Sequence, residues 1–423
     1  MVDPESIRII TVIAFVVFLA MGIRKPVWAV IGYMILVYCK VSSYFPAFAA
    51  MKAELIFGLL ILLSVFASGN FSIKLSSHYN AVNKYLIFFV TCVFLSFLIA
   101  MDRQHSWDIA VYHFIKVLFL YVMLLVAIES KQDIKIFIWS FVVMFAYLSY
   151  EPTFGFLTGT EPSRHMYGDV YIADIGILSG HVALANNMNQ MIPIAFFLIL
   201  AVHNKKLITL AIIPLLIFFT ALIGSASRGG VVGLMVFGAI LVYFSKNRIR
   251  NALVLGVVGI IFFMLSGAVK STAGRINRAS VESRLVGLAH GIEMIRLKGH
   301  ILGVGHGCYP LARRKYFSYT MESHNIYGQV LGDLGIPGTV AWFFLILQIF
   351  RNLIDTKKRL RALSMEKDFL YKLAMGIQVS LIVRLFISMG SHGLYYFYWY
   401  VMAALSITIL KTAESLEEDV SQI

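Results

Sequence analysis

The most constraining feature of this sequence is a succession of apolar runs, many of them close to twenty residues long. An α-helix needs about twenty apolar residues to cross a hydrocarbon core of roughly 30 Å, because it rises about 1.5 Å per residue. The runs lack the strict apolar-polar alternation of strands. With 59% hydrophobic and 14% charged residues, the chain is too apolar for a soluble globular protein. We therefore predict an all-α polytopic membrane protein.

The apolar runs predict a bundle of 12–13 transmembrane helices, the lower number applying if the short second run is re-entrant. The candidate spans are residues 6–23, 26–40, 53–69, 83–101, 109–128, 132–150, 181–202, 206–223, 229–245, 251–269, 335–353, 370–390 and 394–411. The first run has no positively charged start and no small-residue cleavage site, so we interpret it as a retained span. Without internal repeats or linkers, residues 1–423 form a single membrane domain.

The distribution of lysine and arginine predicts which loops face outward. These residues cluster in alternate short loops, and such loops are cytoplasmic by the positive-inside rule. The other set faces outward and includes residues 151–180, the turns at 225–230 and 390–394, and the long polar segment 270–325. We predict that residues 270–325 form a large, helical, basic loop subdomain on the outer side of the membrane. Its charge fits an anionic ligand better than a nucleic acid, because no nucleic-acid-binding motif surrounds the basic residues.

Arg228 follows Ser225-Ala-Ser and precedes two glycines, between two apolar runs. An arginine inside a span costs about 2.5–3.5 kcal/mol on insertion scales, so it is best tolerated near an interface or a polar cavity. Small neighbours let a ligand approach, and a guanidinium offers a planar fork to phosphate oxygens. We favour a phosphate contact over an arginine that only snorkels to the surface.

Arg284 lies in a segment with helical spacing of its apolar residues. If Ser280 or Ser283 caps this helix, Arg284 lies in its first turn, beside N–H groups suited to an anion. The competing interpretation is a structural ion pair with Glu282 or Glu322. The residues alone leave the two interpretations equally open.

His324 stands just before an apolar span, at the predicted outer surface. Its unperturbed pKa near 6.5 allows the imidazole to accept a proton from a hydroxyl group near neutral pH. A lone interfacial histidine is more often structural, but two arginines in the same compartment favour a general base.

The glycine-rich stretch 303–307 predicts a tight turn and not a dinucleotide fingerprint, because no βαβ unit surrounds it. His306 within it is then a loop residue. His300, His306 and Cys308 match no standard zinc spacing, so we predict neither a metal nor another cofactor.

Polar residues inside two spans predict a wet cavity that opens outward. Asn187, within a polar stretch of its span, and Arg384 are candidates to line it, as is Asn325 next to His324. Pairing within the helix bundle is the alternative.

Four motifs occur in a fixed order between about residues 220 and 345: Ser225-Ala-Ser-Arg228-Gly-Gly, Ser283-Arg284, Leu302-Gly-Val-Gly305-His-Gly307 and His324-Asn325-Ile-Tyr-Gly-Gln-Val-Leu-Gly. Together they resemble the O-antigen ligase and Wzy-type polymerase superfamily of bacterial envelope glycosyltransferases. The stretch from Asn186 to Pro193 and the ending Tyr398-Trp-Tyr-Val-Met resemble more closely the putative O-glycosylation ligases of exosortase-linked exopolysaccharide clusters.

The resemblance implies a GT-C-like, metal-independent enzyme of the bacterial inner membrane, with its active site facing the periplasm. The donor would be a glycan on undecaprenyl diphosphate. By position, Arg228 and Arg284 match the arginines that hold the diphosphate, and His324 matches the histidine that activates the acceptor hydroxyl. The acceptor stays open between another glycan, a lipid A core sugar and a protein hydroxyl.

Two motifs of other transferases are absent from the sequence. There is no Asp-x-Asp, which a metal-dependent nucleotide-sugar transferase would use, and no Trp-Trp-Asp of the asparagine-modifying oligosaccharyltransferases. The alternative is a transporter or flippase of an anionic lipid-linked glycan. Such a protein should show inverted repeats and a site near the membrane midplane, whereas the candidate residues here cluster in and beside one outer loop.

Overall fold

The protein is described here from a computed structural model that covers residues 4–67, 80–160, 163–165, 168–170, 178, 180–250, 253, 256, 278–298, 301–319 and 322–422. Almost all of its regular structure is helical. The α-helices with defined bounds are α1 (Pro4–Arg24), α2 (Pro26–Tyr38), α3 (Val41–Tyr44), α4 (Pro46–Ala50), α5 (Ala53–Ala67), α6 (Ala81–Ser96), α7 (Arg103–Ile109), α8 (Ile115–Ala127), α9 (Lys131–Leu148), α10 (Tyr150–Thr158), α11 (His181–Ile199), α12 (Lys205–Gly224), α13 (Arg228–Phe244), α14 (Arg278–Lys298), α15 (Tyr309–Phe317), α16 (Ile326–Ala362), α17 (Phe369–Ile387) and α18 (Phe397–Ser421).

Short irregular elements join several of these helices. A 3₁₀ turn, Phe97–Ile99, follows α6, a π-helical turn, Ala110–Phe114, joins α7 to α8, and a 3₁₀ turn, Ser388–Gly390, follows α17. Two three-residue strands, β1 (Ser163–His165) and β2 (Gly168–Val170), pair antiparallel in a small hairpin.

The prediction of an all-α polytopic membrane protein is confirmed. Among the described residues, six helical segments are long and apolar enough to cross a membrane: Ala81–Ile99, Arg103–Ala127, His181–Ile199, Lys205–Gly224, Ile326–Ala362 and Phe369–Gly390. A seventh results if α9 and α10, which meet at 41°, count as one bent span.

The count of 12–13 spans stays a prediction. The predicted span 251–269 lies largely outside the described residues. Other predicted spans correspond to short helices: α2, for instance, has 13 residues. At about 1.5 Å per residue it is roughly 20 Å long, less than the hydrocarbon core needs.

Helix α17 is central to the part of the bundle that carries the candidate residues. It packs against α11, α13, α16 and α18. Its neighbour α16 also contacts α6, α14 and α18. These contacts bring three connections to the same place: the turn before α13, the segment before α16 and the link between α17 and α18.

Helix α16 is broken at Gly335, whose φ of 65° and ψ of −157° are not helical. The break frees two carbonyl groups, and the glycine loop 303–307 supplies their donors. Val304 N donates to Gly332 O at 2.8 Å and Gly305 N donates to Asp333 O at 3.0 Å. On the other side of the break, Ile336 N donates to Ile301 O at 2.9 Å. The loop therefore replaces helical hydrogen bonds that the break removes.

The backbone of this loop confirms the predicted tight glycine turn. Gly303, Gly305 and Gly307 have φ of 79°, 109° and 68°, values that residues with a side chain rarely adopt. A Cβ atom on Gly303 would also lie 2.5 Å from Gly332 O. Gly303 is thus required by the close approach of the loop to α16.

Close backbone contact also joins α14 to the start of α16. A Cβ on Gly291 would lie 2.3 Å from Gly328 O, and a Cβ on Gly328 would lie 2.3 Å from Gly287 O. Only glycines let the two helices approach this closely. The contact fixes α14, and hence Arg284, against the segment that carries His324.

Candidate active site

Arg228 is the first residue of α13, at the reverse turn that follows α12. Ser227 caps the new helix, with its Oγ accepting from Gly230 N at 3.3 Å. Ser225 Oγ accepts from Ser227 N at 3.3 Å and shapes the turn. Gly230 is buried, and a Cβ there would lie 3.2 Å from Cβ of Ala185 on α11. The small residues of this motif therefore serve the turn and its packing, and they leave Arg228 half-buried at the helix start.

Arg284 is half-buried on α14 and lies against the turn that follows α17. A Cβ on Gly390 would be 3.0 Å from its Nη1 atom. Burial lowers the pKa of Arg284, and the positive charge of Arg228 lowers it further. Two guanidinium groups that are far apart in sequence are therefore electrostatic neighbours. Their mutual repulsion favours an anion at this place.

The expectation that Arg284 lies in the first turn of its helix is wrong. Helix α14 begins at Arg278, so Arg284 lies beyond the N–H groups that a helix start leaves open. Glu322, one of the acids considered as its ion-pair partner, lies near Arg313: burial raises the pKa of the Glu322 carboxyl, and the charge of Arg313 opposes this. The side chain of Glu282 lies outside the described residues.

His324 is half-buried and has a φ of 48°, in the left-handed region that most residues avoid. Ser323 stabilises the turn, because its Oγ donates to Asn325 O at 2.6 Å. Burial lowers the pKa of the His324 imidazole below 6.5, and the charges of Arg313 and Arg284 lower it further. The ring is therefore neutral at pH 7 and able to accept a proton.

Asn325 holds three elements together. Its Oδ1 accepts from Tyr327 N at 3.0 Å and from Gly328 N at 3.1 Å, which caps α16. Its Nδ2 donates to Met389 O at 3.2 Å and to Arg284 O at 3.4 Å. Since the residue is 3% exposed, these contacts position the backbone around His324 and do not present an amide to a cavity.

Asn187 and its neighbours lie on α11. Asn187 is half-buried, and its Nδ2 donates to Ala183 O at 2.8 Å, one turn earlier in the same helix. Asn189 is buried and donates to Gly230 O at 3.1 Å, which links α11 to α13. In this arrangement the amide of Asn189 positions the helix that begins at Arg228.

Arg384 is 2% exposed on α17. Its Nη2 donates to His392 O at 3.4 Å, and its guanidinium carbon lies 5.7 Å from the centre of the Trp399 ring. Nε has no hydrogen-bond partner among the described residues. Arg384 therefore lies directly behind the link between α17 and α18.

That link brings a second histidine to the site. The ring centres of His392 and His324 are 5.5 Å apart. Burial lowers the pKa of His392 to about 4, with contributions from His324 and Arg384. His392 was not among the residues singled out from the sequence, and the signal that could have found it is its place in the predicted outward turn 390–394.

Arg313 was also missed, because in the sequence it is one of several basic residues in the long loop. It is 1% exposed on α15. Its Nη1 donates to Glu322 O at 2.6 Å and its Nε donates to His290 Nδ1 at 3.0 Å. Arg313 thereby anchors the segment that leads to His324.

His306, the histidine of the glycine loop, is fully buried and away from the arginine pair. Its ring centre is 4.0 Å from that of Tyr395 and 5.7 Å from that of Phe114. Burial lowers the pKa of His306 to about 3. Its backbone N donates to Ser96 Oγ at 3.0 Å. This is the environment of a packed, neutral side chain.

The part of the chain that carries Arg228, Arg284 and His324 also matches a known family. Residues 191–343 match the family model described as O-antigen ligase. The match supports the resemblance of this segment to the O-antigen ligase and Wzy-type polymerase superfamily. No curated protein matches the chain significantly. Asn187, Arg384 and His392 lie outside the matched segment, and the narrower resemblance to the O-glycosylation ligase subgroup stays a prediction.

The match supports a glycan-transferring role, as a ligase or a polymerase, for this multi-pass membrane protein.

Proposed function

We propose that the protein moves a glycan from undecaprenyl diphosphate to an acceptor hydroxyl at the periplasmic face of the bacterial inner membrane. One observation carries the proposal: Arg228, Arg284 and His324 come from three separate elements, yet, beyond the larger effect of burial, the charge of Arg228 lowers the pKa of Arg284 and the charges of Arg313 and Arg284 lower the pKa of His324. A base beside two cations is what this transfer requires.

The reaction needs two kinds of assistance. The acceptor O–H bond breaks and its proton moves to the neutral His324 imidazole. The oxygen forms a bond to the anomeric carbon while the bond from that carbon to the diphosphate oxygen breaks. Arg228 and Arg284 bind the departing lipid diphosphate and stabilise the charge it gains. The proton on His324 then returns to solvent.

The arginine pair accounts for donor binding in this scheme. Two guanidinium groups repel each other when empty, and a diphosphate with several anionic oxygens replaces that repulsion with charge-assisted hydrogen bonds. The arginine forks suit phosphate oxygens better than lysine would. The proposed chemistry needs no divalent metal, because the arginines supply the positive charge.

The test is product formation by the purified protein in lipid nanodiscs, with undecaprenyl-diphosphate-linked glycan and a chelator of divalent metals. Three acceptors are offered separately: a second lipid-linked glycan, a lipid A core oligosaccharide, and a peptide with serine and threonine hydroxyls. We expect transfer to one of them. Elongation of lipid-linked glycan identifies a polymerase, and either of the others identifies a ligase. No transfer in any arm would reject the proposal and favour the transporter.

The periplasmic location of the site has its own test. The cysteines at positions 39, 92 and 308 are buried, so an added thiol can be labelled selectively. Lys315 is exposed on α15, and we expect Lys315→Cys to react with a membrane-impermeant maleimide added to intact spheroplasts. Lys205→Cys, at the exposed first residue of α12, is the matched control and should react only after lysis. The opposite labelling pattern would place the site on the cytoplasmic face.

A further inference from the structure

His392 lies beside His324 with no role in the scheme above. The two ring centres are 5.5 Å apart and the rings are inclined by 57°. Within the described chain no hydrogen bond joins them. Nδ1 of His392 is buried and has no hydrogen-bond partner among the described residues. A buried polar atom without a partner costs about 1–3 kcal/mol, so its presence calls for an explanation.

Side chains from three helices hold the backbone of the loop that carries His392. Gln329 Oε1 accepts from Gly393 N at 3.1 Å and from Leu394 N at 3.2 Å. Trp399 Nε1 donates to Gly393 O at 3.1 Å. Arg384 Nη2 donates to the carbonyl of His392 itself. Contacts from α16, α17 and α18 thus fix a loop of a few residues, which is the kind of support that a substrate-binding side chain needs.

The groups around the two histidines are cations or neutral rings. His392 faces His324, Arg384 and Tyr396, and His324 additionally faces Arg313 and Arg284. No carboxylate is among these neighbours in the part of the chain that the structure describes. His392 therefore stays neutral above about pH 5, with one ring nitrogen that donates and one that accepts a hydrogen bond.

We propose that His392 is a second residue that binds the acceptor hydroxyl, so that the acceptor oxygen lies between two imidazoles. This inference rests on the proposed function. His392 donates its N–H to the oxygen and holds it, while His324 accepts the proton of the same hydroxyl. The oxygen then bonds to the anomeric carbon as the diphosphate leaves, and His392 is unchanged at the end. Two neutral rings a few ångströms apart suit one bridging oxygen.

The test separates acceptor kinetics from donor kinetics in the nanodisc assay, with whichever of the three acceptors the wild type uses. In His392→Phe, which keeps a ring but has no donor, we expect kcat/KM for the acceptor to fall about tenfold, the effect of one neutral hydrogen bond. KM for the lipid-linked donor should not change. His392→Gln, which keeps a donor, should lose less. His203→Gln, at an exposed loop position, is the matched control and should match the wild type.

Each outcome of this experiment either supports or overturns the proposed role of His392. A loss confined to the acceptor supports the inference. Wild-type acceptor kinetics in His392→Phe, or a change confined to donor KM, overturns it while leaving the proposed function intact. If His392→Phe does not fold, as judged by thermal unfolding in detergent, the Gln variant decides on the same criteria. A wild type that is inert with all three acceptors rejects the proposed function and this inference together.

Discussion

His306 and His324 occupy similar places in the sequence, in polar loops next to α16, but they lie in different environments. His306 is fully buried among aromatic rings, and burial lowers its pKa to about 3. His324 is half-buried, and two arginine charges help to keep it neutral. A histidine with a pKa near 3 is too weak a base for a hydroxyl, whereas His324 is neutral, partly exposed and beside the arginine pair, where an acceptor hydroxyl can reach it.

The glycine loop 303–307 and the segment that carries His324 therefore have different roles. The glycine loop around His306 supplies hydrogen bonds to the broken helix α16. The segment around His324 is instead held in a left-handed conformation by its neighbours. Strained backbone of this kind costs about 1–3 kcal/mol and is concentrated at functional sites.

The largest effect is expected for His324→Ala. Loss of a general base typically slows a reaction about 10²- to 10⁴-fold, so the initial rate of glycan transfer should fall by that factor. His203→Ala, at an exposed histidine, is the matched control and should keep the wild-type rate. If the two variants have equal rates, His324 is not the base.

A somewhat smaller loss is expected for Arg284→Ala. Removing one group that stabilises the developing charge costs about 10²- to 10³-fold in kcat. Arg284→Lys should recover part of the rate, since it restores the charge but not the fork. Arg296→Ala removes a charge from the same helix at a side chain that is 83% exposed, and it should have no effect. Equal losses at both positions would mean that the loop acts through its overall charge.

The pH dependence of the transfer rate tests whether His324, and not His306, is the base. Because the pKa of His324 is lowered, the wild type should stay active below pH 6.5 and lose activity only as the pH falls through that lowered value. Arg284→Gln removes one of the charges that lower it, so the acid limb of the pH profile should move to higher pH. An acid limb that stays in place would show that another group controls it.

The smallest effect on activity is expected for His306→Phe, which we expect to retain transfer within about threefold.

The same substitution should change how thermal stability depends on pH. Below pH 6.5 the unfolded histidine binds a proton that the buried His306, with a pKa of about 3, does not, so the wild type loses stability as the pH falls. His306→Phe lacks this loss, and its melting temperature should fall less between pH 7.5 and pH 5. A large loss of transfer in the folded variant would contradict the assignment.

Much of this arrangement could be predicted from the sequence. Apolar runs revealed the membrane helices, because burial in lipid demands about twenty apolar residues in a row. The glycines at 303, 305 and 307 predicted a tight turn. Their backbone angles, which exclude most side chains, confirm it. The order of the four motifs predicted the family that the match to residues 191–343 then supported.

The rest depends on packing that no local pattern encodes. His392 reaches His324 because α17 packs on α16 and because Gln329 and Trp399 hold the connecting loop. In the sequence Arg313 is one of several basic residues of the long loop. Only its buried hydrogen bonds to His290 and to the carbonyl of Glu322 distinguish it. The position of Arg284 in its helix was misjudged because α14 begins at Arg278, ahead of the serines that seemed suited to cap it.

The most direct test of the account measures donor binding and transfer in the same preparation of His324→Ala. We expect binding of undecaprenyl-diphosphate-linked glycan to stay within about twofold of the wild type, because Arg228 and Arg284 are intact, while transfer falls at least about a hundredfold. If donor binding is lost in parallel with transfer, or if transfer persists, His324 is not the base beside an arginine-bound diphosphate.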